Sequence, residues 1–163
     1  MYITYSDYVR FYGNDRLQEN DFERTALNVD RVLDMFTTGI DNYPKLREAF
    51  PTDESDVTML KLCACRLADL FYTIDQLNKS IHAARETVET ENGVHSKMIA
   101  SASAGNESIS YVTGTSSALN DQAATDLAAQ HRIITDIVKT FLSGMTDANG
   151  VNLLYMGRYP RHV

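Results

Sequence analysis

Residues 53–91 contain neither glycine nor proline, and Leu60, Cys63, Leu67, Leu70, Ile74, Leu77, Ile81, Ala84 and Val88 recur there at alternating spacings of three and four. That spacing is the heptad-like signature of one long helix packed along its length against other helices. Glu54 and Asp56 in the first turn suit the positive end of the helix dipole. At the usual rise, a helix of roughly 38 residues reaches about 57 Å, more than the diameter of a compact domain of this length. Part of it is therefore expected to project, to break, or to meet a neighbouring molecule.

The chain has 163 residues, 44% of them hydrophobic and 23% charged, which predicts one domain, 1–163, large enough to bury a core. No run approaches the roughly 18 apolar residues of a membrane span, and the first residues lack the basic start and apolar block of an export signal. The net charge of −7 falls wholly in residues 1–92, while residues 93–163 balance. An acidic chain is a poor general nucleic-acid binder, because phosphate affinity comes from clustered Lys and Arg.

Around the long helix, Ser6 to Gly13 reads as a short helix with Ser6 as N-cap and Gly13 as stop. Asn20 and Glu23 resemble a capping box, after which Phe22, Ala26, Val29, Leu33 and Phe36 recur at helical spacing until Gly39. Residues 44–50 form a short helical link before Pro51. After Asn92 and Gly93 the composition turns rich in Ser, Ala, Gly and Thr. Residues 97–103 and 108–113 read there as two short strands around a turn at 104–107. Such a hairpin is marginal alone and is expected to need a partner. A last helix begins near Ser117 or Asn120, with Leu119, Ala123, Leu127, Ile134, Val138 and Phe141 on one stripe. The fold class expected is mainly α: a small helical bundle with one long helix, a short β-hairpin insertion and an extended C-terminal tail. The helical core covers about 6–92 and 117–143, the hairpin about 97–113 and the tail 150–163.

Reactive constellations are sparse. Cys63 and Cys65 lie two apart, about 200° around a helix, so the two thiols cannot grip one ion. Cys63 falls on the apolar stripe and Cys65 off it. His82, His95, His131 and His162 lack zinc-site spacing. Residues 147–150 start like a calcium loop, but Val151 to Leu154 stand where ligands are needed, so a turn is expected. No nucleophile elbow or phosphate loop occurs. No catalytic residue, metal or cofactor is expected, and the chain reads as a non-enzyme whose working parts are contact surfaces. Leu153, Leu154, Tyr155, Met156, Gly157 and Arg158 form an apolar then basic segment. It either folds back on its own helices or docks on another subunit with Arg158 and Arg161 at a polar rim.

Taken in order, five features resemble the head-tail connector (head-completion adaptor) family of long-tailed bacteriophages. They are the opening Met1-Tyr2-Ile3-Thr4-Tyr5-Ser6-Asp7-Tyr8, the acidic helix 19–37, the long helix from Asp53, the Ser-rich segment 97–113, and the ending Asn152-Leu153-Leu154-Tyr155-Met156-Gly157. The resemblance covers most of the chain and lies in order and spacing, not in a fingerprint. It implies a structural protein of the virion neck, made in the host cytoplasm. The family forms a ring, of twelve subunits in many members, between the portal and the next neck or tail protein. DNA passes through the ring without sequence-specific binding, and no membrane is involved. By resemblance, Ile99, Ser101, Ile109 and Tyr111 map to the strand pair used in subunit or neck contacts. Residues 153–158 map to the segment that reaches a neighbour or the portal. The chain departs from the family in continuing through Arg158-Tyr159-Pro160-Arg161-His162-Val163. A helical regulatory or scaffold protein dimerising through the long helix is the alternative, and a small enzyme or a DNA-binding adaptor relying on the basic end are lesser ones.

Overall fold

Thr4 opens the first helix. Its hydroxyl accepts from the Asp7 N–H at 3.2 Å while the Asp7 carboxylate accepts from the Thr4 N–H at 3.0 Å, a capping box at the head of α1 (Tyr5–Tyr12). The cap expected at Ser6 is displaced because Thr4 and Asp7 satisfy two backbone groups at once. Gly13, at φ 78°, stops the helix as expected. The computed structural model describes residues 1–83, 85–90, 93–103, 108–111 and 126–160, with side chains in 1–79 and 126–160.

The second helix, α2 (Glu19–Thr37), starts before the capping box expected at Asn20, because the Gln18 carbonyl already accepts from the Asp21 and Phe22 N–H groups. Phe22, Ala26, Val29 and Leu33 are buried, as their spacing requires. After the short α3 (Lys45–Glu48), Asp53 caps the long helix by accepting from the Ser55 and Asp56 N–H groups at 3.0 and 3.1 Å.

This helix, α4 (Glu54–Ala83), ends eight residues short of the 91 expected, at about 45 Å. Residues 85–90 are strand instead of helical core. Thr87, Val88 and Thr90 are β-branched, which favours a pleated backbone once a partner strand is at hand. The partner is β2 (Gly93–Ser103), antiparallel to β1 (Arg85–Thr90) from Arg85 opposite Met98 to Thr90 opposite Gly93. A third strand, β3 (Ser108–Tyr111), lies on the other side of β2, in the order β1-β2-β3. β1 lies upstream of the segments 97–103 and 108–113 that the sequence reads as a strand pair. The turn at 104–107 and residues 112–113 lie outside the described residues.

The last helix is α5 (Leu127–Leu142); its expected beginning near 117 or 120 lies outside the described residues. Ala129, Ile134, Val138 and Leu142 are buried, but Leu127 is 83% exposed and Phe141 only half-buried. The apolar stripe is therefore rotated from the one expected, with Leu142 facing inward.

The chain is mainly α. By its contacts it divides into two compact units, Met1–Tyr72 with His131–Val163, and Thr73–Gln130. In the first unit the middle of α4 is enclosed almost all round: Cys63, Ala64, Cys65, Leu67, Ala68, Asp69 and Leu70 are all buried. Cys65 is thus as deep as Cys63, contrary to its place off the stripe, because the other helices and the N-terminal segment wrap more than one side of α4. Buried Asp69 is compensated by Arg16, whose Nη1 lies 3.1 Å from each carboxylate oxygen, and by the Tyr8 hydroxyl at 3.4 Å. Lys61 on α4 reaches Asp7 of α1 at 2.9 Å. These contacts fix α1 against α4. Among the described residues no helix is long and apolar enough to cross a membrane.

Candidate interaction surface

The segment after α5 is not an extended tail. Gly144, at φ 83°, ends the helix, and the Leu153 N–H returns to the Met145 carbonyl at 2.9 Å. Between them, residues 147–150 form the expected turn. Asp147 Oδ1 accepts from the Asn149 and Val151 N–H groups, both at 2.9 Å, as an Asx turn does. The other Asp147 oxygen accepts from the Tyr159 hydroxyl at 2.6 Å, so the carboxylate is fully engaged inside the protein.

Lys45 holds this segment down. It is 1% exposed, and its ammonium donates to the carbonyls of Thr37 at 2.8 Å, Leu153 at 3.1 Å and Tyr155 at 2.5 Å. An ammonium has three donors, and all three are used. Burial holds its pKa below the ordinary lysine value, although Asp147 and Asp41 pull it upward. At the far end, Tyr159 is buried, its ring stacks on Tyr43 at 4.0 Å, and its N–H donates to Asp41 at 3.0 Å. Burial and the bond to Asp147 push the Tyr159 hydroxyl up to about 12.

Between these anchors the backbone comes against the loop after α2. A Cβ on Gly39 would stand 2.4 Å from the Gly157 carbonyl oxygen, and the Ile40 N–H donates to the Met156 carbonyl at 3.0 Å. Only a residue without a side chain permits that approach at position 39. Three large apolar side chains are left outward along this seam: Ile40 at 76%, Tyr155 at 48% and Met156 at 51% exposure. Arg158, two positions after Met156, is also exposed.

The residues singled out from sequence are thus divided. Leu153, expected to reach a neighbour, is fully buried in its own core, because Lys45 and Met145 hold its backbone inside. Leu154 and Gly157 are half-buried, while Tyr155, Met156 and Arg158 face outward. Ile40 was not singled out; it follows the glycine that ends the α2 pattern, where periodicity gives no signal. In the second unit, Ile99 pairs with Tyr111, Ser101 with Ser110 and Ala102 with Ile109, with a register irregularity between Ile99 and Ser101. Backbone pairing therefore brings Ile99 and Tyr111 opposite each other and leaves Ser101 and Ile109 one position apart.

Elsewhere the first unit offers little chemistry. Burial pushes the Cys63 and Cys65 thiols up to about 12, which suppresses the reactive thiolate. His131 is exposed and stacks on Phe36 at 6.3 Å; the side chains of His82, His95 and His162 lie outside the described residues. Among the described residues no three His, Cys, Asp or Glu side chains group as a metal site. An open groove of about 660 Å³ lies between α1 and the start of α2, lined by Thr4, Tyr5, Ser6, Val9, Arg10 and Glu19. No protein-family model, curated protein or solved structure matches the chain.

Proposed function

We propose that the chain is a head-tail connector: a structural virion protein that forms a ring, of twelve subunits by resemblance, between the portal and the tail or neck, completing the head and extending the DNA channel. It acts as a non-enzyme without cofactor, made in the host cytoplasm and retained at the head-tail interface. The observation that carries the reading is the outward seam of Ile40, Tyr155 and Met156 with Arg158, held rigidly from beneath by Lys45. An exposed apolar cluster with a charged margin on a fixed backbone is what a protein contact needs. The order of elements supports the same assignment, and in this reading the strand pair carrying Ile99, Ser101, Ile109 and Tyr111 is the second contact surface. The acidic balance suits a channel wall, since one that attracted phosphates would retard DNA.

The rival is a regulatory or scaffold dimer through the long helix. It is disfavoured because Leu60, Cys63, Leu67, Leu70 and Ile74, the first five positions of the 60–88 heptad face it needs, are already buried within the chain. Co-sedimentation with portal rings encoded by the same genome tests the proposal. The wild-type chain is expected to travel with the portal, and Met156→Glu to bind at least tenfold more weakly. A folded wild-type chain that stays at the top of the gradient across a range of salt rejects it.

A further inference from the structure

The turn at 147–150 places a reactive pair at the surface. Asn149 is exposed and is followed by Gly150, at φ 75°, with open space where a side chain would stand. An asparagine before a glycine is thermolabile, because no Cβ shields the glycine nitrogen from the side-chain amide. Two hydrogen bonds restrain the reacting groups. The Gly150 N–H donates to the Asp147 carbonyl at 3.0 Å, and Asn149 Nδ2 donates to the Tyr159 hydroxyl at 2.9 Å. That hydroxyl gives its single proton to Asp147 at 2.6 Å, so only the NH2 group of Asn149 satisfies its oxygen. We propose that Asn149 is a site of spontaneous deamidation guarded by the Tyr159 hydroxyl, and that its conversion to a carboxylate releases Tyr159 from the turn.

Water is the only co-reactant. On a local opening of the turn, the Gly150 nitrogen bonds to Asn149 Cγ, the Cγ–Nδ2 bond breaks, and the Gly150 amide proton leaves with that nitrogen as ammonia. Water then opens the succinimide at one of its two carbonyls, giving aspartate or isoaspartate at 149. Either product carries an acceptor-only carboxylate where the amide carried a donor. The one proton of Tyr159 cannot serve both Asp147 and the new carboxylate, and two like charges then face a single hydroxyl. Reclosure is disfavoured, so a transient opening becomes permanent. The anchor that loosens is the one Tyr159 makes with the Tyr43 ring at 4.0 Å and, through its N–H, with Asp41 at 3.0 Å. The inference rests on these bonds and is independent of the connector reading.

The test is to age the full chain in mildly alkaline buffer, folded and in urea. Peptide mapping with isoaspartyl methyltransferase labelling follows position 149 and, as an internal reference, Asn92, the other asparagine that precedes a glycine. Conversion at 149 is expected to be slower in the folded chain than in urea. Tyr159→Phe should speed it about three- to tenfold, the hold of one hydrogen bond over an opening equilibrium, and leave Asn92 unchanged. In Asn149→Asp, which carries the product directly, hydrogen exchange at the Tyr159 amide should accelerate while the amides of α2 keep wild-type protection. Equal rates at 149 in wild type and Tyr159→Phe, both folded by circular dichroism, overturn the guard, as does a folded rate equal to that in urea. A position 149 that stays amidated in both folded chains while the urea-unfolded chain converts overturns the site. Wild-type exchange at the Tyr159 amide in Asn149→Asp overturns the release, and this variant decides the matter if Tyr159→Phe does not fold.

Discussion

The ammonium of Lys45 lies 3.1 Å from the carbonyl oxygen of Leu153, 108 positions further along the chain. With the Thr37 and Tyr155 carbonyls it closes a buried knot that ties the end of α2 to the segment after α5. Lys45→Met keeps the stem and removes three donors, leaving buried carbonyls unsatisfied at about 1–3 kcal/mol each before relaxation. A net loss of about 2–4 kcal/mol in urea unfolding is expected, with protease cleavage of residues 154–160 appearing in the native protein. Wild-type stability in the variant would show that the knot is not what holds the segment.

Gly39→Ala tests the seam from its other side. The new methyl would meet the Gly157 carbonyl oxygen at 2.4 Å, so the segment must move or the loop after α2 must strain. About 1–3 kcal/mol of destabilisation is expected, as for overpacking elsewhere. Hydrogen exchange at the Ile40 amide should accelerate, since its bond to the Met156 carbonyl is the nearest one broken. Unchanged protection at Ile40 would contradict this arrangement.

Alkaline stability has a defined sign. Burial raises Cys63 and Cys65 from 9.0 to about 12, and Tyr8 and Tyr159 from 10.0 to about 12. Between those values the folded protein keeps protons that the unfolded chain has lost, so stability is complete below pH 9 and declines as pH rises toward 12. Urea midpoints should hold from pH 8 to about 9 and fall from there to pH 11. Replacing both cysteines by alanine should flatten the lower part of that decline.

The same burial predicts inert thiols. In the native state Cys63 and Cys65 should react with a disulfide reagent only as fast as the protein opens, and at full speed in denaturant. Rapid native labelling of either would place the middle of α4 at the surface.

On the acid side, burial raises Asp7, but hydrogen bonds from Lys61 and Thr4 outweigh it and hold the carboxyl below its usual range. Its contribution is present above the unfolded carboxylate pKa of about 3.9 and is lost as pH falls through the lower folded value. Asp7→Asn should cost about 1 kcal/mol at neutral pH through the weakened cap, and acid unfolding curves should converge with wild type near pH 2. A constant difference between the two down to that pH would exclude the ionised cap.

The legible parts of the fold were those fixed by local rules. Phe22, Ala26, Val29 and Leu33 announce α2 by spacing, Asp53 and Glu54 announce the start of α4, and residues 147–150 announce a turn. The end of α4 was not legible, because Ile81, Ala84 and Val88 continue a helical period into a segment that β2 recruits as a strand from beyond residue 92. Lys45 reads as a surface lysine in any local window; only the distant carbonyls of Leu153 and Tyr155 make its burial tolerable. Half of the candidate surface was visible as the apolar ending at Tyr155 and Met156. The other half, Ile40, is joined to it only by tertiary contact across Gly39 and Gly157, while Leu153 had the right composition for a contact and the wrong direction.

A chain that completes a portal vertex must add visible mass to a bare portal. The purified protein, in excess, is mixed with portal rings from the same genome and viewed by negative-stain electron microscopy. An added ring of density below the portal is expected, absent when Met156→Glu replaces the wild-type chain. Portals that stay bare with folded wild-type protein at low and moderate salt would contradict it.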